Sequence, residues 1–319
     1  MEEVKRVVVY SNKMSVRNKM IDILLATYNG ERFLQEQLDS IFKQTYQNFH
    51  VIIRDDGSSD NTMKILKKYK EIYKNKITII EDDIVCKSAI KNFFRLLKFS
   101  ESDYVMFSDQ DDIWENNKME ISYNTLCNEE RQFGKVPMCL FSDYKLIDEK
   151  GEEILKQVGK ISNEQIELKY LLTNNCALGC TMMINKGLIE RMKKWTYWDY
   201  TMHDWVAVLL ACCCGKIIYL PQELIRYRQH TNNAIGSKKS WKRYLILKIE
   251  DKKNKEKVNG YFRQASELLK FVDDEEKARE LKKFCAVYNG NKITRIYKII
   301  KYGFLQGNIL KKVGLIIYI

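Results

Sequence analysis

Short apolar runs alternate with longer amphipathic stretches over the first third of the chain. The apolar runs have the length and composition of buried strands, and they occupy residues 21–26, 49–54, 77–80 and 103–107. Between them, apolar residues recur every three or four positions, as in helices that pack one face on a core. These stretches cover residues 31–44, 60–73 and 88–98. Regular alternation of strand and helix predicts an α/β fold with a doubly wound, mostly parallel, Rossmann-like sheet.

Polar side chains follow three of the predicted strands at the point where each strand ends. They are Thr27, Tyr28 and Asn29 after the first strand, Asp55 and Asp56 after the second, and Asp109 and Asp111 after the fourth. Because the carboxyl ends of parallel strands meet at one edge of the sheet, these residues are expected to line one ligand-binding crevice. No G-x-G-x-x-G follows the first strand and no G-x-x-x-x-G-K-[ST] occurs in the chain, which excludes a dinucleotide fingerprint and a P-loop.

The stretch F-S-D-Q-D-D-I-W, residues 107–114, is the strongest candidate for chemistry. Its three carboxylates, Asp109, Asp111 and Asp112, repel one another, and such a cluster is tolerated where a divalent cation neutralises it. Oxygen-rich sites suit Mg²⁺ or Mn²⁺, which commonly bridge a protein carboxylate to substrate phosphates. The alternative is a solvated acidic turn before a helix that begins near Glu115.

The chain's positive charge is concentrated in its last quarter. The net charge is +12, yet residues 1–237 hold 33 basic and 33 acidic side chains, whereas residues 238–319 hold 21 basic and 9 acidic ones. A basic tail on a neutral body indicates an anionic surface as partner and argues against nucleic acid. The tail has helical patterns rich in Lys and aromatic residues but no run of the ~20 apolar residues needed to span a bilayer. Its helices are expected to lie on an anionic membrane, to pack on the preceding domain, or to form a dimer contact.

The cysteines and the first residues indicate where the protein works. Nine cysteines, an odd number, occur without C-x-x-C spacing, and no secretory signal opens the chain, so a reduced, cytoplasmic protein is expected. The run Cys212 to Cys214 lies in an apolar helix, where cysteine usually serves as a small hydrophobe. Residues 1–20 are expected to be a dispensable extension or the result of a misassigned start, since the organised pattern begins at Ile21.

Several motifs, in order, resemble those of one known family. They are L-L-A-T-Y-N-G (24–30), D-D-G-S-S-D-N-T (55–62), S-D-Q-D-D-I-W (108–114), N-N-C-A-L-G-C-T-M-M-I-N (174–185), H-D-W (203–205) and Y-R-Q-H-T-N-N-A-I-G (227–236). Together they are similar to the inverting glycosyltransferases of family 2, which have the GT-A fold. The last motif resembles the bacterial rhamnosyltransferase branch. The resemblance implies a GT-A domain over 21–237, followed by basic amphipathic helices over 238–319.

The resemblance implies roles for individual residues. Thr27, Tyr28 and Asn29 would hold the donor nucleotide, with Tyr28 stacked on the pyrimidine, and Asp56 would bond the edge of the base. Asp109 would hold the ribose or assist the metal, and Asp111 would ligate a Mn²⁺ or Mg²⁺ ion on the diphosphate. Asp204 occupies the position of the family's general base. His203 precedes it where many members of the family have Glu, so both residues are catalytic candidates. The alternative for Asp204 is a helix N-cap.

Other residues have two interpretations each. His230, with Arg228 beside it, would meet the diphosphate or the metal, or would be an ordinary hydrogen-bonded histidine. Lys118 would contact phosphate or be a solvated helix residue. Cys176 to Cys180 would line the acceptor side or form a tight turn into a strand over 181–184.

The expected function is metal-dependent, inverting sugar transfer at the cytoplasmic face of the plasma membrane. By resemblance the donor would be dTDP-rhamnose, and the acceptor a lipid-linked saccharide in cell-surface polysaccharide synthesis. A cation would neutralise the departing diphosphate, and a carboxylate would deprotonate the acceptor hydroxyl. The alternatives are a UDP-hexose donor on the same fold, or a non-catalytic protein that binds a nucleotide sugar or a membrane. A sugar nucleotidyltransferase is disfavoured because no Gly/Lys/Arg-rich loop follows the first strand. The oligomeric state is left open.

Overall fold

The computed structural model describes residues 18–82, 84–155, 160–197, 202–230 and 251–319. Most of the predicted N-terminal extension, Asn232 and Asn233 of the last motif, and the first predicted helix of the basic tail lie outside the described residues. Within the described ranges, no helix is long and apolar enough to cross a membrane.

Four strands form a parallel half of the central sheet. They are β1 (Ile21–Thr27), β2 (Phe49–Asp55), β3 (Ile77–Ile79) and β4 (Tyr104–Ser108), in the order β3-β2-β1-β4. The connecting helices are α1 (Leu34–Phe42), α2 (Thr62–Ile72) and α3 (Ala89–Phe99). Each element lies within a few residues of its predicted position, so the strand and helix predictions for this half are confirmed. The ends of β1, β2 and β4 are adjacent, which brings the three predicted loops together.

The other half of the sheet mixes strand directions. It consists of β5 (Ile113–Trp114), β6 (Met138–Ile147), β7 (Glu153–Leu155), β8 (Met182–Asn185) and β9 (Lys216–Arg228). β8 is antiparallel to both β4 and β6, whereas β9 is parallel to β6 and antiparallel to β5. The predicted mostly parallel arrangement therefore describes the first half, and antiparallel pairs predominate in the second. The apolar pattern did not reveal β6.

Helices cover both faces of the sheet, as a doubly wound arrangement requires. The remaining helices of this region are α4 (Lys118–Phe133), α5 (Leu168–Leu171), α6 (Lys186–Lys193) and α7 (His203–Cys214). Along β1, Ile21, Ile23 and Leu25 pack in the core shared with α1, α2 and α4, whereas Leu24 packs in the core shared with α3, α6 and α7. Successive strand residues point to opposite faces, so a continuous apolar run supplies both cores.

The described part of the basic tail, residues 251–319, forms four helices that join the second core. They are α8 (Asp251–Leu268), α9 (Glu275–Val287), α10 (Lys292–Lys301) and α11 (Ile309–Tyr318). Phe262 of α8, Phe284 of α9 and Leu315 of α11 are buried in the same cluster as Trp205 of α7. The described tail therefore packs on the preceding domain, which was one of the expected arrangements.

Candidate active site

The loop after β1 is fastened to the loop after β2. Thr27 Oγ1 donates a hydrogen bond to Asp55 Oδ1 at 2.8 Å, and the Asn29 N–H donates to Ser58 Oγ at 2.8 Å. Asn29 has a φ of 46°, a left-handed conformation that asparagine tolerates better than most residues. The Tyr28 ring is 58% exposed at this edge. The predicted residues of the first two loops therefore share one crevice, and the Tyr28 ring is free to receive a planar ligand.

Gln110 holds the acidic turn against the first loop. Its side-chain amide accepts from the Tyr28 N–H at 2.8 Å and donates to the Tyr28 carbonyl oxygen at 2.9 Å. A Cβ atom at Gly30 would come within 2.3 Å of Gln110 Oε1. Gly30 is thus required for this close approach, and the third predicted loop is fixed beside the first.

Asp56 is engaged in an internal network. Its side chain is buried, and Oδ1 accepts from the Cys86 N–H at 2.5 Å while Oδ2 accepts from the Ser88 N–H at 3.3 Å. The fully buried Arg54 also donates to Asp56 Oδ1, at 3.4 Å. A nucleobase that bonds Asp56 would therefore compete with the backbone of residues 86–88.

The carboxylates of the acidic turn point in different directions. Asp109, Asp112 and Cys180 each offer a ligand atom, and these atoms lie within 4.8 Å of one another. Asp112 is fully buried; its Oδ1 accepts from the Arg228 N–H at 3.1 Å, and its Oδ2 has no hydrogen-bond partner among the described residues. Burial and the neighbouring Asp111 raise the pKa of Asp109 to about 7 and raise the pKa of Asp112 well above its usual value. These carboxylates repel one another when ionised, and a bound cation would relieve that repulsion.

Asp111 turns to the other side and meets His230. Asp111 Oδ2 lies 2.6 Å from His230 Nε2, and the histidine ring lies 5.2 Å from the ring of Phe33. Two predicted metal ligands are thus brought together from distant parts of the chain, while the third, Asp109, groups with Asp112 and Cys180. Carboxylate oxygens with one imidazole nitrogen fit a divalent ion such as Mn²⁺, whereas a protonated thiol is a poor ligand for it. Burial raises the pKa of Cys180 well above its usual value, so Asp111 and His230 fit the ion better.

Arg228 is bound by protein acceptors on all sides. Its Nε donates to the Asp111 carbonyl oxygen at 2.9 Å, its Nη1 donates to the Glu149 carbonyl oxygen at 3.1 Å, and its Nη2 pairs with Glu36. The side chain is almost fully buried. In this structure Arg228 therefore positions the acidic turn, and its guanidinium group is already occupied by these contacts.

Lys118 is buried in the wall of the crevice. Its Nζ donates to the Cys180 carbonyl oxygen and lies 3.7 Å from the centre of the Trp114 ring. The alternative of a solvated helix residue is wrong, because the side chain has no exposed surface. Burial lowers the pKa of Lys118 to about 7, against the opposing effect of Asp112 and Asp109.

Asp204 is a buried carboxylate in the first turn of α7. Its Oδ1 accepts from the Trp205 N–H at 2.6 Å, and its Oδ2 accepts from the Gly179 N–H at 3.2 Å. The N-cap residue of α7 is Met202, so the N-cap alternative for Asp204 is wrong. Burial raises the pKa of Asp204 to about 7, although these N–H groups and the Asn175 side chain oppose the rise. A carboxylate with a pKa near the working pH is suited to general-base catalysis.

His203 lies in an apolar environment. Its ring centre is 4.1 Å from that of Phe93 and 4.6 Å from that of Phe107. Neither ring nitrogen has a hydrogen-bond partner within the described parts of the chain, and burial lowers the pKa of His203 to about 3. A Cβ atom at Gly179 would come within 2.3 Å of His203 Nε2. These surroundings favour a neutral packing residue over a proton carrier.

The segment from Cys176 to Cys180 combines both expected features. Gly179–Thr181 forms a 3-10 turn that leads into β8, while Cys176 lines a cavity of about 780 Å³ together with Asn175 and Trp205. The turn is therefore present, and the residues before it border an open space next to Asp204.

Sequence reasoning missed several residues that organise the site. They are Glu36, Gln110 and Asn175. The position of Cys180 beside the acidic turn was also missed. A glutamine between two aspartates, and an asparagine beside the turn, were visible in the motifs. The partner of Glu36 lies 192 residues away in the chain, and no local pattern could have identified it.

The chain was compared with known families and proteins. Residues 22–192 match the family described as Glycosyl transferase family 2. The dTDP-rhamnosyl transferase RfbG of Shigella flexneri is 32% identical over 228 residues, which cover 68% of this chain and 75% of the relative. The UDP-Glc:alpha-D-GlcNAc-diphosphoundecaprenol beta-1,3-glucosyltransferase WfgD of Escherichia coli is 28% identical over 173 residues, covering 54% and 62%.

A solved structure supports the fold independently of sequence. The mannosyltransferase PcManGT from Pyrobaculum calidifontis, in complex with GDP-Man and Mn²⁺, superposes with a TM-score of 0.54. The match covers 92% of this chain and 77% of that chain, at 12% sequence identity. At this identity the likeness concerns the fold alone, and the predicted α/β, GT-A fold class with C-terminal helices is confirmed.

Proposed function

Since the chain belongs to glycosyl transferase family 2, we propose that it moves a sugar from a nucleoside diphosphate donor to a saccharide hydroxyl, with inversion, during polysaccharide synthesis. The observation that carries this is the proximity of Asp204 to the acidic turn. Asp204 Oδ2 accepts from the Gly179 N–H at 3.2 Å, and Cys180, the next residue, has its sulfur within 4.8 Å of the ligand atoms of Asp109 and Asp112. A buried carboxylate and the acidic turn therefore belong to one site, which supports catalysis of transfer over binding of a nucleotide sugar alone.

The donor would lie across the ends of β1, β2 and β4. Tyr28 would stack on the base, Asp56 would bond its edge, and Thr27 and Asn29 would hold the loop that carries Tyr28. Asp111 and His230 would hold a Mn²⁺ or Mg²⁺ ion, with Asp109 nearby. When bound, that ion would act as a Lewis acid that neutralises the diphosphate. The complex of PcManGT with GDP-Man and Mn²⁺ supports this proposal by analogy of fold.

The acceptor hydroxyl would be activated on the side of the donor sugar that lies opposite the diphosphate. Asp204, ionised, would accept the proton of an acceptor hydroxyl as its oxygen attacks the anomeric carbon. The bond to the diphosphate oxygen would break on the far side of that carbon, so its configuration would invert. Trp205 and Gly179 N–H groups would hold the carboxylate in place, and Arg228 would keep the acidic turn in position. General-base catalysis of this kind typically contributes ~10²- to 10⁴-fold.

The donor sugar is proposed to be rhamnose carried on dTDP, because RfbG is the relative with the higher identity. The name of WfgD gives UDP-Glc as its donor, so a UDP-hexose is the second candidate for the donor of this chain. The test is a panel of dTDP-rhamnose, UDP-glucose and GDP-mannose, each with Mn²⁺ and with EDTA. A true donor should raise the melting temperature and be slowly hydrolysed only when the metal is present. If no nucleotide sugar does either, the proposed function is contradicted.

Tyr28→Ala is expected to weaken binding of the free nucleoside diphosphate by about tenfold, because stacking of a base on an aromatic ring contributes roughly 1–3 kcal/mol. Asp56→Ala should also weaken it, by removing a bond to the base and by loosening residues 86–88. Isothermal calorimetry with dTDP and UDP in the presence of Mn²⁺ measures both effects. Tyr297→Ala, a similarly exposed tyrosine of α10, is the matched control. Unchanged affinity in both test variants would remove the base pocket from the mechanism.

We also propose that α10 and α11 rest on an anionic membrane. Ile293, Tyr297 and Ile300 of α10 are 79%, 60% and 56% exposed and lie on one side of the helix. Ile309, Val313 and Ile317 of α11 are exposed as well. Lys292 Nζ donates to the Ile317 carbonyl oxygen at 2.7 Å, which links the two helices. Exposed apolar side chains beside lysines are typical of helices that bind anionic membranes. A lipid-linked acceptor would be reached from this surface.

The membrane proposal predicts that the protein sediments with vesicles containing phosphatidylglycerol and less with pure phosphatidylcholine. Ile293→Gln combined with Ile300→Gln should lower the affinity by about tenfold or more, since burial of one isoleucine contributes roughly 1.5–3 kcal/mol. Ile72→Gln combined with Ile154→Gln changes two other exposed isoleucines and should have little effect. Equal binding to both kinds of vesicle, or equal loss in both variants, would contradict the proposal.

A further inference from the structure

A large cavity separates the catalytic domain from the C-terminal helices. Its volume is about 780 Å³, within the range of pockets that enclose small ligands. One wall consists of residues 141–144 and 173–178 together with Trp205, and the other consists of α8, α11 and Gln306. The family match ends at residue 192, so half of this cavity is built by residues beyond the matched region.

The catalytic wall of the cavity reaches the proposed base. Asn175 lines the cavity, and its side chain is one of the groups that oppose the rise in the pKa of Asp204, whose Oδ1 accepts from the Trp205 N–H at 2.6 Å. Trp205, the next residue along α7, also lines it and donates from its indole nitrogen to the Leu171 carbonyl oxygen at 2.6 Å. A ligand in the cavity would therefore lie next to the group that accepts the hydroxyl proton.

The walls suit a saccharide. Tyr144, Trp205, Tyr261 and Tyr318 present aromatic rings, which combine flat apolar faces with polar edges. Asn175 also lines the cavity. Its side-chain amide can donate and accept hydrogen bonds, as binding of sugar hydroxyls requires.

Two lysines face the cavity from different helices. Lys257 belongs to α8 and Lys311 belongs to α11, and both line the cavity. They are close enough that the charge of Lys257 helps to lower the pKa of Lys311, after burial as the larger cause. Within the described ranges, neither lysine forms an ion pair with a carboxylate. Asp143 also lines the cavity, but its Oδ2 accepts from the Tyr219 hydroxyl at 2.6 Å. Two neighbouring lysines that form no ion pair within the described ranges can bind an anionic ligand.

We propose that this cavity binds an acceptor saccharide that carries a phosphate group, and that Lys257 and Lys311 bind that phosphate. The inference rests on the proposed glycosyl transfer and adds the charge of the acceptor to it. Paired ammonium groups bind phosphate oxygens by charge-assisted hydrogen bonds. The phosphate can belong to a lipid diphosphate headgroup or to a soluble phosphorylated saccharide. The outward face of α11 is the proposed membrane surface and its inward face lines the cavity, so the lipid-linked form has a direct path to the site.

The test measures binding of geranyl diphosphate to the full chain by calorimetry in EDTA, where the donor site has no cation. The test variant combines Lys257→Glu with Lys311→Glu, and the proposal expects at least a tenfold loss of affinity. The matched control combines Lys255→Glu with Lys312→Glu, which makes the same charge change on the same helices at residues that do not line the cavity. The control should change affinity by less than about twofold.

Inorganic diphosphate and geraniol identify the part of the probe that is bound. If inorganic diphosphate displaces geranyl diphosphate, the cavity binds phosphate groups whether or not they are attached to a lipid. If only intact geranyl diphosphate binds, the acceptor is lipid-linked. Both results support the proposal. Binding of geraniol as tightly as geranyl diphosphate, no binding to the natural protein, or equal loss in test and control variants overturns it. Metal-dependent donor hydrolysis should be unchanged in the test variant, which separates a failure of this inference from a failure of the proposed function.

Discussion

Replacement of Asp204 by asparagine is expected to lower kcat by about 100-fold or more while leaving donor affinity nearly unchanged. The amide cannot accept the proton of the acceptor hydroxyl, and a group that acts only in the transition state affects kcat more than binding. The side chain would keep its shape, and its amide oxygen can still accept from the Trp205 N–H. The measurement is steady-state transfer with saturating donor, together with calorimetry of donor binding.

The pH dependence gives a second measure of the same role. Burial raises the pKa of Asp204 to about 7, so the carboxyl is mostly protonated, and inactive as a base, below that pH. The rate of the natural enzyme should therefore rise as pH increases through about 7, and the residual rate of Asp204→Asn should lack this rise. His203→Gln is the comparison in the same assay, and its smaller loss is expected because His203 packs against Phe93 and Phe107. A folded Asp204→Asn enzyme that retains most of its turnover would rule out Asp204 as the base.

Replacement of Asp111 by asparagine is expected to reduce transfer to the background rate and to remove the effect of Mn²⁺ on donor binding. A neutral amide is a weak ligand for a hard divalent cation, and the amide cannot neutralise the cation's charge. Donor titrations with Mn²⁺ and with EDTA, followed by calorimetry, measure the loss. The natural enzyme should bind donor more tightly with the metal, and the variant should show no such difference.

The matched control for this prediction flanks the same strand at its other end. Asp103 precedes β4 at the opposite end of the sheet, where it pairs with Lys19, so Asp103→Asn should leave the metal effect intact. Cys180→Ala, which removes the ligand atom, separates the two arrangements of ligands. It should have little effect if Asp111 and His230 hold the ion, and a large one if Asp109, Asp112 and Cys180 do. Full metal-dependent turnover by Asp111→Asn would contradict the ligand assignment.

The parallel half of the fold could be predicted because each of its main strands is recognisable from its own sequence. The strands β1, β2 and β4 are continuous apolar runs that are buried on both faces, and their loops are short and polar. Strand β6 was missed because its second half, from Asp143 to Leu146, is only partly buried and mixes polar with apolar residues. Strand β9 contains Pro221 and has an irregular pattern of burial. Patterns of this kind are weak in isolation, and pairing with distant strands decides them.

The site could be predicted as a set of loops but not as a set of contacts. The rule that strand ends converge placed Tyr28, Asp56 and Asp111 near one another. It could not show that Arg228 is occupied by carbonyl groups and Glu36, or that Lys118 points inward beneath Trp114. Such outcomes depend on which partner each buried charge meets, since a buried charge must be paired. Those partners are distant along the chain: 117 residues separate Arg228 from Asp111, and 62 residues separate Lys118 from Cys180.

Repulsion between the carboxylates of Asp109 and Asp204 couples proton binding by Asp204 to cation binding at the acidic turn. Each negative charge raises the proton affinity of the other, so a positive charge bound at the acidic turn would lower the pKa of Asp204. Thermodynamic linkage makes this effect reciprocal: a proton held by Asp204 changes the affinity of the turn for that positive charge by the same factor. Loss of a proton from the base should therefore strengthen cation binding, and the concentration of Mn²⁺ needed for half-saturation should fall as the pH rises.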